Sequence, residues 1–582
     1  MGSIYAHTQT WQDIVAQKRA LRDEALKPYL VDDLESRAPR VDNVAKRSII
    51  ESDPKIQKIT DIDSIPVLQQ CLSQGEFTAE EVILAYIKSM PEIFQGNGCA
   101  SAGGLYPYKV ELMKNVPILI LNTKTNAITE VIFDDALKQA QELDREFQAT
   151  KMVKGPLHGI PVTVKDQFNI KGYDSTLGYV GRSFKPAAED AVIVQILKDL
   201  GAVVIAKTNL PQSIMWCETE NPLWGLTVNP RNPDFTPGGS TGGEAALLAL
   251  HGSILGLGTD IGGSVRIPQN MMGLYGFKPS SSRLPYQGVP VSTEGQEHVP
   301  SAVGTMARDL STVCYISRLL ADSKPWTMDP RCSPLPWNEA AFQEIQSRPL
   351  VIGLITDDGV VKVHPPIERA LREVSEALKA QGHEIISWDT SDHKECIEIM
   401  DLYYTADGGE DIRRDVAVAG EPFIPHVEAL VNRGKPISVY EYWQLNKRKV
   451  AVQKRYLDKW NAARSPSGIP VDVLLSPTMP HTSVPHRSCR WVGYTKVWNI
   501  LDYPAITFPV DMVRPEKDRL PEDAPAYTPR NELDAWHWSL YNPEQMAGHP
   551  VNLQVIGRKL EEEKVLGAVS VIEKVWKESK KQ

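Results

Sequence analysis

Two glycine-rich segments constrain this chain more than any other feature of its sequence. Pro237–Gly243 reads Pro-Gly-Gly-Ser-Thr-Gly-Gly, and Gly258–Arg266 reads Gly-Thr-Asp-Ile-Gly-Gly-Ser-Val-Arg. Each presents one serine, Ser240 and Ser264, and the two serines lie 24 residues apart. Glycines beside a hydroxyl let backbone N–H groups approach a ligand in conformations that a side chain would forbid. The run ending at Ser264 therefore offers N–H donors next to a nucleophile, as an oxyanion hole requires, although either segment alone is equally typical of a tight turn.

Helical and extended patterns alternate along most of the chain. Val162–Asp166 and 202–206 are predicted strands, and the helix predicted over 190–200 ends before Gly201. This order is typical of an α/β fold. No repeat or linker interrupts it, which favours one large domain over 76–582 behind an N-terminal helical extension over 1–75. Further helices are predicted over 11–29, 78–90, 134–147, 366–381 and most of 401–470. Further strands are predicted over 350–355, 384–388, 472–475, 503–509 and 551–556. Irregular surface stretches are predicted over 31–62 and 512–545.

Composition excludes several classes of protein. The formal net charge of −10 argues against a nucleic-acid binder. The seven cysteines are odd in number and form no Cys-x-x-Cys pair, which fits a reducing compartment and neither a disulfide framework nor a zinc site. The longest apolar stretch, 245–258, is interrupted by His251 and is too short to span a bilayer. We therefore expect a cytoplasmic protein with a small-molecule substrate, no membrane-spanning segment, no metal and no cofactor.

The serine segments allow more than one chemical interpretation. Gly238–Gly242 formally matches Gly-x-Ser-x-Gly, the nucleophile elbow of α/β-hydrolases, which must follow a strand directly. Here the preceding residues 229–237 are rich in Asn and Pro and have no strand character, so the context argues against an elbow. A nucleophilic serine also needs a base. His158 and His251 are nearby in sequence, but each is equally explained by packing or by a turn.

Lys165 is the other candidate base, in the manner of the Ser-Lys variants of the catalytic triad. A lysine accepts a proton only when it is neutral, so its pKa must fall from about 10.4 to near 7. Burial away from carboxylates has this effect. Lys165 ends an apolar strand, and the alternation of side chains along a strand places Asp166 on the opposite face. A lysine at a strand end is otherwise a solvated surface charge, and these residues alone leave both interpretations open.

Three segments together resemble the amidase signature family. Gly159–Asp166, Pro237–Gly243 and Gly258–Arg266 occur in the order and at the spacing of that family. Asp472–Thr478 and Gln554–Arg558 are similar to later landmarks, so the resemblance extends over most of the chain. Within the family, the chain most resembles the fungal acetamidase and general amidase branch. The resemblance implies an α/β protein with the amidase signature fold, a large twisted mixed β-sheet surrounded by helices, with residues 76–582 as its catalytic domain.

The resemblance also implies a mechanism. Ser264 would be the acyl-accepting nucleophile, and Ser240, held by a cis peptide bond, would connect it to neutral Lys165. The proton of Ser264 would pass through Ser240 to Lys165 and return to the leaving amine. Backbone N–H groups over 261–264 would bind the oxyanion. The oxyanion and substrate-binding positions implied in this way are Ile261, Gly262, Gly263 and Ile214.

One position departs from the usual family pattern. Many relatives have a second serine where this chain has Thr241. The hydroxyl is retained, so we expect its supporting hydrogen bonds to be retained as well.

The acyl pocket and the substrate stay open at this point. Met215, Trp216, Met271 and Met272 lie near the motifs and either line a pocket or pack in the core. The leading hypothesis is an acetamidase-like hydrolase that cleaves linear carboxamides to a carboxylate plus ammonia or an amine. The alternative is a specialised amidase acting on aryl-acetamides such as indole-acetamide, carbamates or fatty acid amides. A catalytically idle or amidotransferase-like subunit is a third hypothesis, disfavoured by the complete Lys-Ser-Ser set, and a homodimer is compatible with all three.

Overall fold

A computed structural model of the protein describes residues 9–29, 54–88, 125–521 and 527–581. Thirteen strands lie in these ranges, and eleven of them form one mixed sheet. The strands are β1 (Ile128–Val131), β2 (Pro161–Lys165), β3 (Val203–Thr208), β4 (Glu220–Asn221), β5 (Gly225–Leu226), β6 (Leu255–Asp260), β7 (Tyr275–Lys278), β8 (Ala302–Ala307), β9 (Val351–Leu354), β10 (Glu384–Ser387), β11 (Val473–Pro477), β12 (Ala505–Met512) and β13 (Pro550–Ile556).

Helices surround this sheet. In the described ranges they are α1 (Trp11–Leu26), α2 (Pro54–Thr60), α3 (Ile65–Ser73), α4 (Ala79–Lys88), α5 (Phe133–Thr150), α6 (Val192–Asp199), α7 (Gly242–Ala249), α8 (Arg266–Met272), α9 (Leu310–Asp322), α10 (Glu339–Gln346), α11 (Pro365–Ala380), α12 (His393–Tyr404), α13 (Glu410–Ala419), α14 (Pro425–Val431), α15 (Val439–Ala462), α16 (Gly493–Ile500), α17 (Pro515–Asp518), α18 (Glu532–Ser539) and α19 (Glu562–Ser579). None of them combines the length and the apolar character that a membrane span needs.

The sheet is parallel at two places and antiparallel between them. Its strand order is β1-β3-β2-β6-β8-β7-β12-β13-β11-β9-β10. The neighbours β3, β2 and β6 run parallel, as do β11, β9 and β10, whereas the strands from β6 through β8, β7, β12 and β13 to β11 pair antiparallel. Every residue of β2, β3 and β6 is buried. Such burial on both faces is typical of parallel strands covered by helices, and it explains their nearly continuous apolar sequences.

The predicted α/β architecture and large mixed sheet are confirmed, with element boundaries shifted by a few residues. The predicted strand Val162–Asp166 is β2, and the helix predicted over 190–200 is α6. Two predictions of irregular structure are wrong in part. The stretch 31–62 contains α2, and the stretch 512–545 contains α17 and α18. In each case a few buried side chains suffice to dock a short helix, which overrides its polar composition, whereas residues 30–53 and 522–526 lie outside the described ranges.

The helices before residue 75 pack into the same hydrophobic core as the sheet. Ile59, Ile65, Leu68 and Leu72 are buried in one cluster with apolar residues of β2, β3 and β6. The proposed division at residue 75 therefore stays a prediction about sequence organisation, because this core continues across it.

Candidate active site

Parallel pairing of β2 with β6 brings two of the three motif segments, Gly159–Asp166 and Gly258–Arg266, to one edge of the sheet. Val164 lies opposite Leu257, so both strands end at a similar level. Strand β2 ends at Lys165, and β6 leads into the turn 261–265, which carries Ser264. Ser240 lies just before α7, and α7 packs against both strands. The fold thus collects three distant segments around the carboxyl ends of adjacent parallel strands, a common location for binding sites in α/β proteins.

A buried hydrogen bond joins the candidate base to the first serine. Lys165 Nζ donates to Ser240 Oγ at 2.6 Å and lies 3.1 Å from Thr259 Oγ1. The Thr259 hydroxyl in turn donates to Gln167 Oε1 at 2.7 Å, so its oxygen faces Lys165 as an acceptor. Lys165 is fully buried and Ser240 nearly so. The Gly239–Ser240 peptide bond is cis, as the resemblance implied.

Burial lowers the pKa of Lys165 to about 7, although Asp260 and Asp166 act in the opposite direction. For the acidic Asp260, burial alone would raise the pKa. The charge and hydrogen bonds of Arg266 outweigh this effect and lower the pKa of Asp260 to about 2, so this carboxylate is ionised and paired. Asp166 turns away from Lys165, as the strand alternation predicts, and accepts from the backbone N–H of Thr176 at 2.8 Å. Both carboxylates are therefore occupied by other donors, and burial decides the charge of Lys165.

Ser240 and Ser264 line one small cavity. The Ser264 side chain is 9% exposed and makes no hydrogen bond to any other described residue, so its hydroxyl is free to meet a ligand. The structure brings both serines to the same cavity but shows a hydrogen bond to Lys165 only from Ser240. The other lining residues, none of which is charged, are Ile214, Met215, Thr259, Ile261, Val291, Ser292, Thr293, Gln296 and Ser301.

The turn before Ser264 supplies backbone donors. Within the described ranges, the N–H groups of Ile261, Gly262 and Ser264 have no hydrogen-bond acceptor. The N–H of Gly263, by contrast, donates to Asp260 Oδ1 at 2.8 Å. Of the four N–H groups that the resemblance implies for an oxyanion hole, three are therefore available to a ligand and that of Gly263 is committed to holding the turn.

Ile214 reaches the cavity from an unusual backbone conformation. Ser213 and Ile214 have φ values of 67° and 59°, in the left-handed region that disfavours β-branched residues. Tertiary contacts hold the turn: the Ser213 N–H donates to the Leu177 carbonyl at 3.0 Å, and the Ile214 N–H donates to the Pro211 carbonyl at 2.9 Å. Strain of this kind persists where the surroundings fix it, and here it places an apolar side chain in the cavity wall.

The four other apolar candidates divide between cavity and core. Met215 lines the cavity. Trp216 instead stacks on the His426 ring with a centroid distance of 4.5 Å, and Met271 and Met272 are buried in a separate apolar cluster. Spacing along the sequence could not separate these cases, because it does not show which way a side chain near a motif segment points.

Neither histidine weighed as a base lies in this cavity. His158 accepts from the backbone N–H of Lys154 at 3.2 Å, and His251 lies 3.3 Å from the carbonyl of Thr60. In the described part of the chain, no group of three or more His, Cys, Asp or Glu side chains is placed to hold a metal ion.

Sequence reasoning missed Thr259, which lies against Lys165, and Gln167, which accepts from Thr259, and it misjudged a third residue. Thr259 lies inside the second glycine-rich segment, but no sequence pattern marks its hydrogen bonds. The expectation that Thr241 keeps its hydrogen bonds is wrong: Thr241 Oγ1 is buried and has no partner among the described residues. Its side chain packs against Gly258, where a Cβ would lie 2.7 Å from the Thr241 methyl carbon.

Comparisons with known proteins show which proteins this chain is similar to. The family model described as Amidase matches residues 118–566. The chain is 52% identical over 567 residues to Amidase 1 of Gibberella moniliformis, covering 97% of this chain and 99% of that protein. It is 35% identical over 573 residues to the acetamidase of Emericella nidulans, covering 97% and 98%. Among solved structures, a fatty acid amide hydrolase matches with a TM-score of 0.84 at 29% identity, covering 98% of this chain and 95% of that chain.

The charge of Lys165 can be tested through stability. The unfolded chain keeps this proton up to about pH 10.5, whereas the folded protein releases it near 7, so the unfolded state binds more protons in this window. The stability of the wild type should therefore rise with pH, relative to Lys165→Met, by about 1.4 kcal/mol per pH unit across the window. Urea unfolding of both proteins at several pH values measures this difference. The exposed Lys394→Met is the control, and a difference between wild type and Lys165→Met that does not change with pH would show that Lys165 stays charged.

Proposed function

The chain belongs to the amidase family, and we propose that it hydrolyses linear carboxamides to a carboxylate plus ammonia or an amine through Ser264, Ser240 and Lys165. The single observation that carries the proposal is the 2.6 Å hydrogen bond from buried Lys165 Nζ to Ser240 Oγ, at the wall of the cavity that also holds Ser264. A lysine whose pKa is about 7 is about half neutral at neutral pH, which suits a group that must first accept a proton and then donate it.

In the first proposed step, Ser264 Oγ attacks the amide carbonyl carbon. Its proton passes to Ser240, whose own proton passes to the neutral amine of Lys165. Negative charge develops on the carbonyl oxygen, and the free N–H groups of Ile261, Gly262 and Ser264 are available to stabilise it. Donors fixed in advance at such a place typically contribute several kcal/mol to transition-state stabilisation, about 3–4 for one donor.

In the second step, Lys165 returns the proton through Ser240 to the leaving nitrogen, and the C–N bond breaks. Ammonia or an amine departs, and the acyl group stays on Ser264 as an ester. Water then attacks this ester by the same proton path, the acid is released and Ser264 regains its proton. The sum is one amide and one water converted to one acid and one amine.

The cavity wall favours an uncharged acyl group. Apolar Ile214, Met215, Ile261 and Val291 share the wall with hydroxyl and amide side chains, and no charged side chain lines it. A charged substrate group would lose its water without gaining a partner there, which is costly. The similarity to acetamidases supports small neutral amides as substrates, whereas the likeness to a fatty acid amide hydrolase supports a long-chain alternative.

We further propose a reducing, cytoplasmic location. The six cysteines in the described ranges are all free thiols, which supports this location.

The nucleophile can be tested by trapping the acyl-enzyme. The protein is mixed with an ester substrate, and the reaction is quenched in acid. We expect mass spectrometry to find the added mass of the acyl group on the peptide that contains Ser264. Ser264→Ala should lose both the adduct and amide turnover while its thermal unfolding midpoint stays near that of the wild type. Ser323→Ala, directly after α9, removes a hydroxyl whose hydrogen bond within the described ranges goes to the Leu319 carbonyl, and it serves as the control. An adduct on another residue, or full activity of Ser264→Ala, would refute the assignment.

The proton path can be tested by comparing leaving groups. An amine must be protonated as it departs, whereas a phenolate leaves without that help. Lys165→Ala should therefore reduce kcat/KM for an anilide by about 10²–10⁴-fold, and for the matching phenyl ester by much less. Steady-state kinetics on the two substrates measure the ratio. Equal losses would contradict the proton return to the leaving group.

Substrate charge and length can be tested with matched amides. Propionamide and protonated glycinamide have nearly the same size, so at neutral pH they differ mainly in charge. We expect propionamide to be preferred in kcat/KM by on the order of 100-fold, because the cavity offers no carboxylate to the ammonium group. Acetamide, indole-acetamide, ethyl carbamate and a fatty acid amide complete the series. A preference for the fatty acid amide would favour the long-chain alternative, and comparable rates on glycinamide would contradict the neutral cavity.

A further inference from the structure

The backbone leading to Ser264 is held by hydrogen bonds to its carbonyl groups. Four successive carbonyl oxygens, those of residues 260–263, each accept a hydrogen bond from a group beyond the turn. The donors are Asn499 Nδ2 to Asp260 at 3.2 Å, the Tyr404 hydroxyl to Ile261 at 3.1 Å, the Thr495 hydroxyl to Gly262 at 2.7 Å and the Ile267 N–H to Gly263 at 2.7 Å.

These bonds determine where the N–H groups point. A trans peptide unit is planar, with its C=O and its following N–H on opposite sides, so a donor that fixes one also fixes the other. The unit between Gly262 and Gly263 is held at both ends, because Thr495 binds its carbonyl and Asp260 binds its N–H. The unit between Ile261 and Gly262 is held only at its carbonyl, by Tyr404. Its N–H has no acceptor within the described ranges.

The two glycines of the turn give the hydroxyls their space. A Cβ on Gly262 would lie 2.4 Å from the Tyr404 hydroxyl oxygen, and a Cβ on Gly263 would lie 2.3 Å from Thr495 Oγ1. Both distances are far below van der Waals contact. Gly263 also has a φ of 128°, which other residues rarely adopt. The hydroxyls of Tyr404 and Thr495 thus occupy the positions that side chains at 262 and 263 would take.

We propose that Tyr404 is a positioning residue, whose hydroxyl holds the Ile261–Gly262 peptide so that the Gly262 N–H faces the reacting carbonyl oxygen. This inference rests on the proposed function. Tyr404 is the last residue of α12, and it packs against two apolar clusters. Lys496 Nζ lies 5.2 Å from the centre of its ring and forms an ion pair with Asp401 on the same helix. These contacts hold the ring in place beside the turn, outside the lining of the cavity, to which Ile261 belongs.

The hydroxyl of Tyr404 is a reliable donor. Burial raises its pKa well above the usual value, so it stays protonated wherever Lys165 is able to act as a base. Thr495 has a smaller part in this arrangement, because the peptide unit that it holds is also held by Asp260. The hydroxyls of Tyr404 and Thr495 thus bind adjacent carbonyls of one turn but differ in their roles. Of the two, the Tyr404 hydroxyl orients the peptide unit whose N–H group is free.

The test is Tyr404→Phe, which removes one oxygen and keeps the ring. We expect kcat for an amide substrate to fall on the order of tenfold with KM unchanged, since complete loss of an oxyanion donor costs about 10²–10³ and here the donor is only misplaced. Trifluoroacetone, which adds reversibly to a serine hydroxyl and forms a tetrahedral oxyanion, should bind more weakly by the same factor. A merely structural role would not weaken this inhibitor in proportion to kcat.

Two further variants sharpen the result. Tyr403→Phe is the matched control, because its hydroxyl donates to Asn446 Oδ1 at 2.6 Å and does not contact the turn, so kcat should be unchanged. Thr495→Val should reduce kcat less than Tyr404→Phe does, because Asp260 still holds that peptide. Thermal unfolding midpoints confirm that each variant is folded, and Thr495→Val tests the same geometry should Tyr404→Phe be unstable.

Several outcomes would overturn the inference. Unchanged affinity of Tyr404→Phe for trifluoroacetone would do so, as would an effect on KM alone or an equal loss in Tyr403→Phe. A larger loss in Thr495→Val than in Tyr404→Phe would also contradict it. Failure of the wild-type protein both to hydrolyse amides and to bind trifluoroacetone would instead refute the proposed function, so the two failures are distinguishable.

Discussion

The burial of one amine is the constraint on which the rest of the site depends. Lys165 is fully enclosed, and among the residues that the structure describes its nitrogen hydrogen-bonds to two hydroxyls, those of Ser240 and Thr259. A charged ammonium in such a place loses its hydration, and an adjacent free carboxylate would restore the charge. The fold avoids that outcome by pairing Asp260 with Arg266 and by turning Asp166 to the other face of β2. Burial lowers the pKa of Lys165, and the pairing of the two nearby carboxylates with other donors keeps them from cancelling that effect.

The same pairing links the charge of Lys165, the candidate base, to the shape of the turn. Asp260 bonds Arg266, and it also accepts from the backbone N–H groups of Gly263 and Val265. The buried Asp260 carboxylate is therefore paired with a positive charge and also holds the backbone of the segment that carries Ser264. Removing one partner from such a buried network leaves an uncompensated charge, which is far more costly than the net contribution of the pair. Base and turn are consequently coupled through Asp260, although no bond joins them directly.

Much of this arrangement could be predicted from sequence, for identifiable physical reasons. Alternation along β2 correctly put Lys165 and Asp166 on opposite faces, and the glycine-rich segments marked the turn and both serines. Strand and helix periodicity predicted most elements of the sheet and its cover. What the sequence did not predict depends on tertiary contacts: α2 and α18 form in polar stretches that bury a few residues. The alternatives left open for Trp216 were likewise decided by a tertiary contact, its stacking on His426. Periodicity carries no information about such partners.

The donors that hold the turn show the limit of motif reasoning most clearly. Tyr404 lies 143 residues after Ile261, and Thr495 lies 233 residues after Gly262, in segments with no recognisable motif. Glycine is needed at 262 and 263 because those two hydroxyls fill the space beside the backbone. The physical reason for both glycines therefore lies in residues far along the chain. The cavity walls come from further loops, including residues 291–301. The candidate reactive groups at strand ends and the cavity-shaping groups on helices and loops lie on separate parts of the chain and can therefore change independently, as is common where one fold hosts several specificities.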